Sequence, residues 1–157
     1  MVYTVKSFWK ESEKSDYQIV SERGKMGIFY PKIRRRIVPL SYDNILPCGK
    51  NLFIVYQCGK IGAFRLQEHR VCWVAECVYD TLDANAEHLF FSNANSIRYY
   101  HTLFKTVWDF TELATDEEFI YAKDKQFLYI IAMDSGKVIY QKEYADYNSS
   151  CFFFLGY

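Results

Sequence analysis

The chain has little that breaks or bends a backbone. Three prolines and seven glycines in 157 residues are too few for a linker-rich or low-complexity protein. It carries no charge excess, because 19 basic and 19 acidic residues cancel. Generic nucleic-acid binding draws on a cationic surplus, so the balance argues against it. A chain without net charge also lacks colloidal protection, which a permanent partner would supply. No CxxC pair occurs, and the five cysteines (Cys48, Cys58, Cys72, Cys77 and Cys151) are odd in number. They read as reduced thiols packed like small hydrophobes, which makes a cytoplasmic protein the expectation. No apolar run approaches the length of a membrane-spanning helix, so no membrane contact is expected. The opening stretch MVYTVKSFWKESEKSD has no long apolar segment and no cleavage pattern, so it does not read as a secretory signal.

What the chain does have is apolar and aromatic side chains, 50% and 19% of the sequence. That composition argues against disorder. The length fits one domain, residues 1–157, and such a chain buries roughly two-thirds of its unfolded surface without disulfide or metal.

The stretch from Asn51 to Leu66, NLFIVYQCGKIGAFRL, reads as apolar run, Cys-Gly-Lys turn, apolar run. That is the pattern of a β-hairpin, with glycine supplying φ > 0 at the turn. A shift of 35 residues lays it on an earlier copy: Ile54-Val55 on Ile19-Val20, Gly59-Lys60 on Gly24-Lys25, Gly62 on Gly27, Phe64 on Phe29. By the same shift Cys72-Trp73 falls on Ile37-Val38. Each copy closes on a Tyr-Asp step, Tyr42-Asp43 and Tyr79-Asp80, two residues off strict register. Weaker copies follow at Leu89–Tyr100, with Asn95-Ser96 at the turn, and at Phe119–Ile130, with Asp124-Lys125-Gln126 at the turn. A further turn is expected at Asp134-Ser135-Gly136-Lys137. Asn and Asp tolerate left-handed backbone nearly as glycine does.

The expected fold is therefore all-β: tandem three-strand β-hairpin or meander repeats in an open stack or a partly closed propeller-like arrangement, with few or no helices. The units run roughly over 17–50, 51–86, 87–118 and 119–148, with terminal strands at 1–6 and 151–155. The best helix candidate is Leu113–Tyr121, with Thr115 as N-cap and Glu118 as its capping-box partner.

The turn Gly24-Lys25-Met26-Gly27, its copy Gly59-Lys60-Ile61-Gly62, the strand Ile37-Val38-Pro39 and the step Tyr42-Asp43 together resemble the WG-repeat (KWG-type) proteins of bacteria. Those turns read Gly-Lys-Trp-Gly or Gly-Lys-x-Gly; no unit here has the Trp. The match covers about Tyr17 to Asp83. The resemblance implies β-hairpin repeats used as binding modules, some of them in proteins that neutralise bacterial toxins. It carries no catalytic residues.

Two charged stretches are candidate partner-binding sites. Arg23, Lys25, Lys32, Arg34, Arg35 and Arg36 lie within one unit, with Glu22 the only acid among them. Arginine forks of this kind grip phosphates or an acidic protein face, although the repeat places Arg34–Arg36 at a strand connection, where ordinary surface charge is common. Asp116, Glu117 and Glu118 mirror them: an acidic patch able to enter a basic cleft of a toxin domain, or simply the N-terminus of a short helix. Tyr99 and Tyr100, with Trp73 and Trp108, offer either a stacking platform or core packing. Asp43 and Asp80 recur once per unit, which suits turn caps better than an acid–base pair. His69, Cys72 and Cys77 make half of a zinc pattern without a second half, so no metal or other cofactor is expected. No motif names a reaction. The expectation is a non-catalytic protein-binding module, most concretely a bacterial immunity protein that neutralises a cognate toxin. A nucleic-acid-binding module using 32–36 and exposed aromatics, or a purely structural repeat protein, are the alternatives.

Overall fold

A computed structural model describes residues 16–85 and 87–144. The terminal strands expected at 1–6 and 151–155 lie outside them. Among the described residues there are fifteen β-strands and one 3-10 turn, and the fold is all-β. No helix there is long and apolar enough to cross a membrane. The chain divides into two compact units, Met1–Asn93 and Ala94–Tyr157.

The first unit holds β1 (Gln18–Glu22), β2 (Lys25–Tyr30) and β3 (Arg35–Tyr42) as one antiparallel meander. β4 (Asn44–Pro47), β5 (Leu52–Gln57), β6 (Lys60–Gln67) and β7 (Arg70–Tyr79) form a second, and β8 (Thr81–Asn85) and β9 (His88–Ser92) form a hairpin. The three expected strands of the second copy are β5, β6 and β7. A fourth, β4, is added from the residues just after the Tyr42-Asp43 step, pairing Ile45 with Val55 and Leu46 with Ile54.

The repeated Gly-Lys-x-Gly turn does two jobs. Arg23 and Gly24 stand at φ 53° and 78°, and Cys58 and Gly59 at 53° and 77°. Two successive left-handed residues make the two-residue hairpin turn whose twist matches its strands. The second glycine is needed for space. A Cβ on Gly27 would lie 2.4 Å from the Val38 carbonyl oxygen, and one on Gly62 2.5 Å from that of Ala75. At these points the outer strand bulges over the middle one, and the register shifts on both sides of Ala63 and between Met26, Ile28 and Phe29.

The overlay of Cys72-Trp73 on Ile37-Val38 does not hold. Trp73 pairs with Phe64 as Arg36 pairs with Phe29, and Cys72 pairs with Arg65 as Arg35 pairs with Tyr30. Trp73 is the counterpart of Arg36. β6 and β7 extend by two further pairs, Leu66–Val71 and Gln67–Arg70, whereas β2 stops at Pro31. Proline has no N–H to continue the ladder, and Pro31–Ile33 turns as a 3-10 segment closed by Arg34 at φ 52°.

The core of this unit packs Ile28, Val38, Tyr42, Ile45, Phe53, Val55, Phe64 and Leu66 together, all nearly without exposed surface. Each such side chain contributes about 1.5–3 kcal/mol on burial.

The second unit holds the hairpin β10 (Ile97–His101) and β11 (Thr106–Phe110), then the meander β12 (Glu112–Thr115), β13 (Phe119–Lys123), β14 (Phe127–Ala132) and β15 (Val138–Glu143). The helix expected over Leu113–Tyr121 is a β-hairpin instead. The Asp116 carboxylate accepts the backbone N–H groups of Glu118 (2.8 Å) and Phe119 (2.7 Å) and the Tyr121 hydroxyl (2.9 Å). An aspartate closing a turn in this way competes successfully with a helix N-terminus. Asp124 repeats the arrangement with Gln126 N–H (2.8 Å), Phe127 N–H (2.7 Å) and the Tyr129 hydroxyl (2.9 Å). The two sequences, DEEFIY and DKQFLY, are one turn used twice.

Candidate functional site

In the first unit, one end gathers most of the basic run. Lys32, Arg34, Arg35 and Arg36 are all exposed, on the connection between β2 and β3 and on the first residues of β3. The β6–β7 turn lies beside them, since the rings of Tyr30 and His69 are 4.4 Å apart. Tyr17 completes the contact, with its ring 5.0 Å from Tyr30 and its hydroxyl hydrogen-bonded to His69 Nδ1 at 2.8 Å. Burial, the largest influence, holds the Tyr17 hydroxyl above its ordinary pKa. Exposed Arg70 follows His69, and exposed Ile33 and Val71 flank the same connections. Among the described residues the acids here are Glu68 and Asp16, the latter 3.6 Å from the Lys32 ammonium. Among the described residues five cations thus stand against two carboxylates, around a half-buried group of three rings.

Arg23 and Lys25 do not belong to this patch. They lie at the far end of β2, roughly 20 Å away at about 3.3 Å per residue. Lys25 is also spent: its ammonium pairs with the carboxylate of Asp43, as Lys60 pairs with Asp80. Asp43 accepts in addition the backbone N–H of Cys58 at 2.9 Å. The Lys25 hydrogen bond, then that N–H, hold the Asp43 carboxyl below the usual carboxylate range, and Asp43 in turn raises Lys25. The lysine of the Gly-Lys turn and the aspartate of the Tyr-Asp step are therefore two halves of one clasp that closes each meander. The two aspartates sit in separate clasps.

The acidic stretch is divided in role. Asp116 is consumed in its turn, and the N–H groups of Phe119 and Glu118 keep its carboxyl below the ordinary range. Glu117 and Glu118 remain exposed. Tyr99 and Tyr100 are buried, at 0% and 1% exposure. The stacking-platform reading of these two rings is corrected: both faces of β10 are covered at this point, so neither ring reaches solvent. Trp108 is half-buried against Phe110, at 6.0 Å and nearly parallel, and only Trp73 of the named aromatics is well exposed. His69 is engaged with Tyr17, and among the described residues no group of three or more His, Cys, Asp or Glu is placed to hold a metal.

One regularity was missed at the level of sequence. The large apolar side chains left exposed among the described residues are Ile33, Val71, Trp73, Val78, Leu103, Phe104, Val107, Ile139 and Tyr140. Each lies on the last strand of its meander or hairpin, or on the connection leading into it. Apolar residues at i and i+2 along β7, Val71 and Trp73, were the available signal. The outer strands are where this fold leaves large apolar side chains in contact with solvent.

No family model matches the chain, and no curated protein matches it. Among solved structures, Hsv2 of Kluyveromyces lactis is similar at 9% identity and a TM-score of 0.38, over 83% of this chain and 49% of that one. The N-terminal domain of Nup159 is similar at 11% identity and a TM-score of 0.35, over 86% and 43%. PorZ, a surface component of the type-IX secretion system of Porphyromonas gingivalis, is similar at 10% identity and a TM-score of 0.32, over 83% and 20%. The chain spans about half the length of the first of these and less of the others. Likeness at this level identifies neither family nor role.

Proposed function

We propose that the chain is a non-catalytic protein-binding module that receives an acidic partner face on the basic end of its first unit. The observation that carries this is the concentration of Lys32, Arg34, Arg35, Arg36 and Arg70 around the Tyr17–Tyr30–His69 rings, with Ile33 and Val71 exposed beside them. Arginine forks supply orientation and encounter rate, and the apolar neighbours supply buried area. The non-catalytic reading is supported by where the carboxylates go: Asp43 and Asp80 into clasps, Asp116 and Asp124 into turns. The narrower form, a WG-repeat immunity protein that neutralises a bacterial toxin domain, adds only the resemblance of the Gly-Lys-x-Gly turns. It commits the partner to an acidic docking face.

The test is affinity capture from the native host with the wild type and with R34E/R35E/R36E, followed by mass spectrometry. One protein recovered stoichiometrically by the wild type and lost by the variant is the expected result. Equal recovery by both, or none by either, refutes the assignment. The same basic end favours nucleic acid as the second reading. A gel-shift titration with single-stranded RNA and DNA at low salt decides it, since binding that falls steeply with added salt would replace the protein partner.

A further inference from the structure

We propose that His101 is a proton-operated latch on the loop between β10 and β11. The ring is buried, at 2% exposure, while the loop it holds presents Leu103 and Phe104 to solvent at 66% and 55%. Its Nδ1 accepts the backbone N–H of Leu103 at 3.2 Å and that of Phe104 at 3.3 Å. An imidazole nitrogen that accepts hydrogen bonds carries no proton, so the ring is the neutral tautomer with its hydrogen on Nε2. Its face lies against the Phe104 ring, with centroids 4.4 Å apart, and Lys105 N–H closes the loop on the His101 carbonyl at 2.8 Å.

Protonation reverses this arrangement. A hydrogen placed on Nδ1 turns the acceptor into a donor facing two donors, and both backbone groups lose their partner. Gly136 backs the opposite edge of the ring, since a single added carbon there would already lie 2.9 Å from its Cδ2 atom. The strain falls on the loop. Charged side chains stand on the described elements beside the ring. Lys105 is in its own loop, Asp134 and Lys137 flank Gly136 on the β14–β15 turn, and Arg98 pairs with Asp109 across β10 and β11 at 2.7 and 2.8 Å. Hydrogen bonds that only the neutral ring can accept are lost when it takes up a proton, so the stability they add is present at neutral pH and falls away in acid. The loop is therefore held at neutral pH and released in mild acid, freeing the Leu103–Phe104 pair to repack. This reading is independent of the basic end of the first unit.

The test is amide hydrogen exchange of the intact protein between pH 7.5 and 4.5, corrected for intrinsic rates, with the His101 ring titration followed by NMR in the same samples. Protection of the Leu103 and Phe104 amides should fall by about tenfold or more as the ring takes up its proton. H101N places an amide oxygen near the Nδ1 position and cannot titrate, so its loop should stay protected throughout. Loss of protection in H101N that tracks pH as in the wild type would overturn the latch. So would wild-type protection that stays flat while the ring titrates, or a ring that never titrates in this range. The last two readouts need no variant to fold.

Discussion

Replacing Gly62 by alanine tests the account of the repeated turn most directly. The new Cβ would sit 2.5 Å from the Ala75 carbonyl oxygen, 2.8 Å from the Cys77 nitrogen and 2.9 Å from the Glu76 carbonyl carbon. The closest of these is roughly 1 Å inside contact, and every obstructing atom is backbone, which cannot swing aside as a side chain would. β7 must lift from β6 at its bulge. Overpacking of this kind costs about 1–3 kcal/mol. One or two ladder hydrogen bonds weakened beside Ala63 and Ala75 add about 0.5–1.5 kcal/mol each. The sum, about 1.5–6 kcal/mol, is a large part of the 5–15 kcal/mol that holds a typical domain. Gly59 is the control. Nothing lies within 4 Å of its added Cβ, but φ is +77°, so alanine there meets only left-handed strain of about 1–2 kcal/mol. Urea unfolding followed by far-UV circular dichroism should place G62A below G59A, and G27A near G62A. A G62A protein as stable as G59A would refute the close-approach argument.

Tyr99→Ser should lower stability by about 3–5 kcal/mol in the same urea assay, as for other large buried rings, whereas an exposed stacking ring would cost almost nothing. Removing the carboxylate of Glu112, which pairs at 2.5 Å with the nearly buried Lys123, should cost about 1–3 kcal/mol in E112Q, discounted for the half-exposed glutamate. K123M, which removes the buried charge as well, should recover most of that loss. Asp43 is depressed by its clasp, so the stability it adds is present above the ordinary aspartate range and lost as pH falls through its lowered folded pKa. Urea midpoints measured from pH 7 down to 2 should therefore fall less steeply in D43N than in the wild type. R34E/R35E/R36E, at exposed positions, should unfold within about 0.5 kcal/mol of the wild type.

Much of the fold was legible because a β-hairpin turn is a local event. Gly24-Lys25 and Gly59-Lys60 declare themselves through backbone that glycine takes without strain, and the turns at Asp124 and Gly136 lie where the apolar runs stop. What a shift of 35 residues could not show was the two-residue difference between the connections at Pro31 and at Glu68-His69. That difference moved Trp73 from a core position to the rim. The Asp116 turn was misread because Thr-Asp-Glu-Glu fits a capping box as well as it fits an aspartate-closed hairpin; the copy eight residues on, DKQFLY, was the signal that separates them. The burial of Tyr99 and Tyr100 was hidden because two adjacent residues point to opposite faces of a strand, and only the surroundings on both sides decide that neither is wet. At the candidate site, composition picked out Lys32 and Arg34–Arg36. It could not join them to His69 and Arg70, which are brought in by tertiary pairing.

Every described pairing joins strands that follow one another in sequence. Such a chain asks for no distant segment before a meander can set, so each hairpin can close soon after it leaves the ribosome. Growth by in-frame duplication is correspondingly easy: a new copy of some 35 residues brings its own turn, its own lysine and its own aspartate, and has only to lay its buried side chains against the copy before it, as Phe53, Val55 and Phe64 lie against Ile28, Val38 and Tyr42.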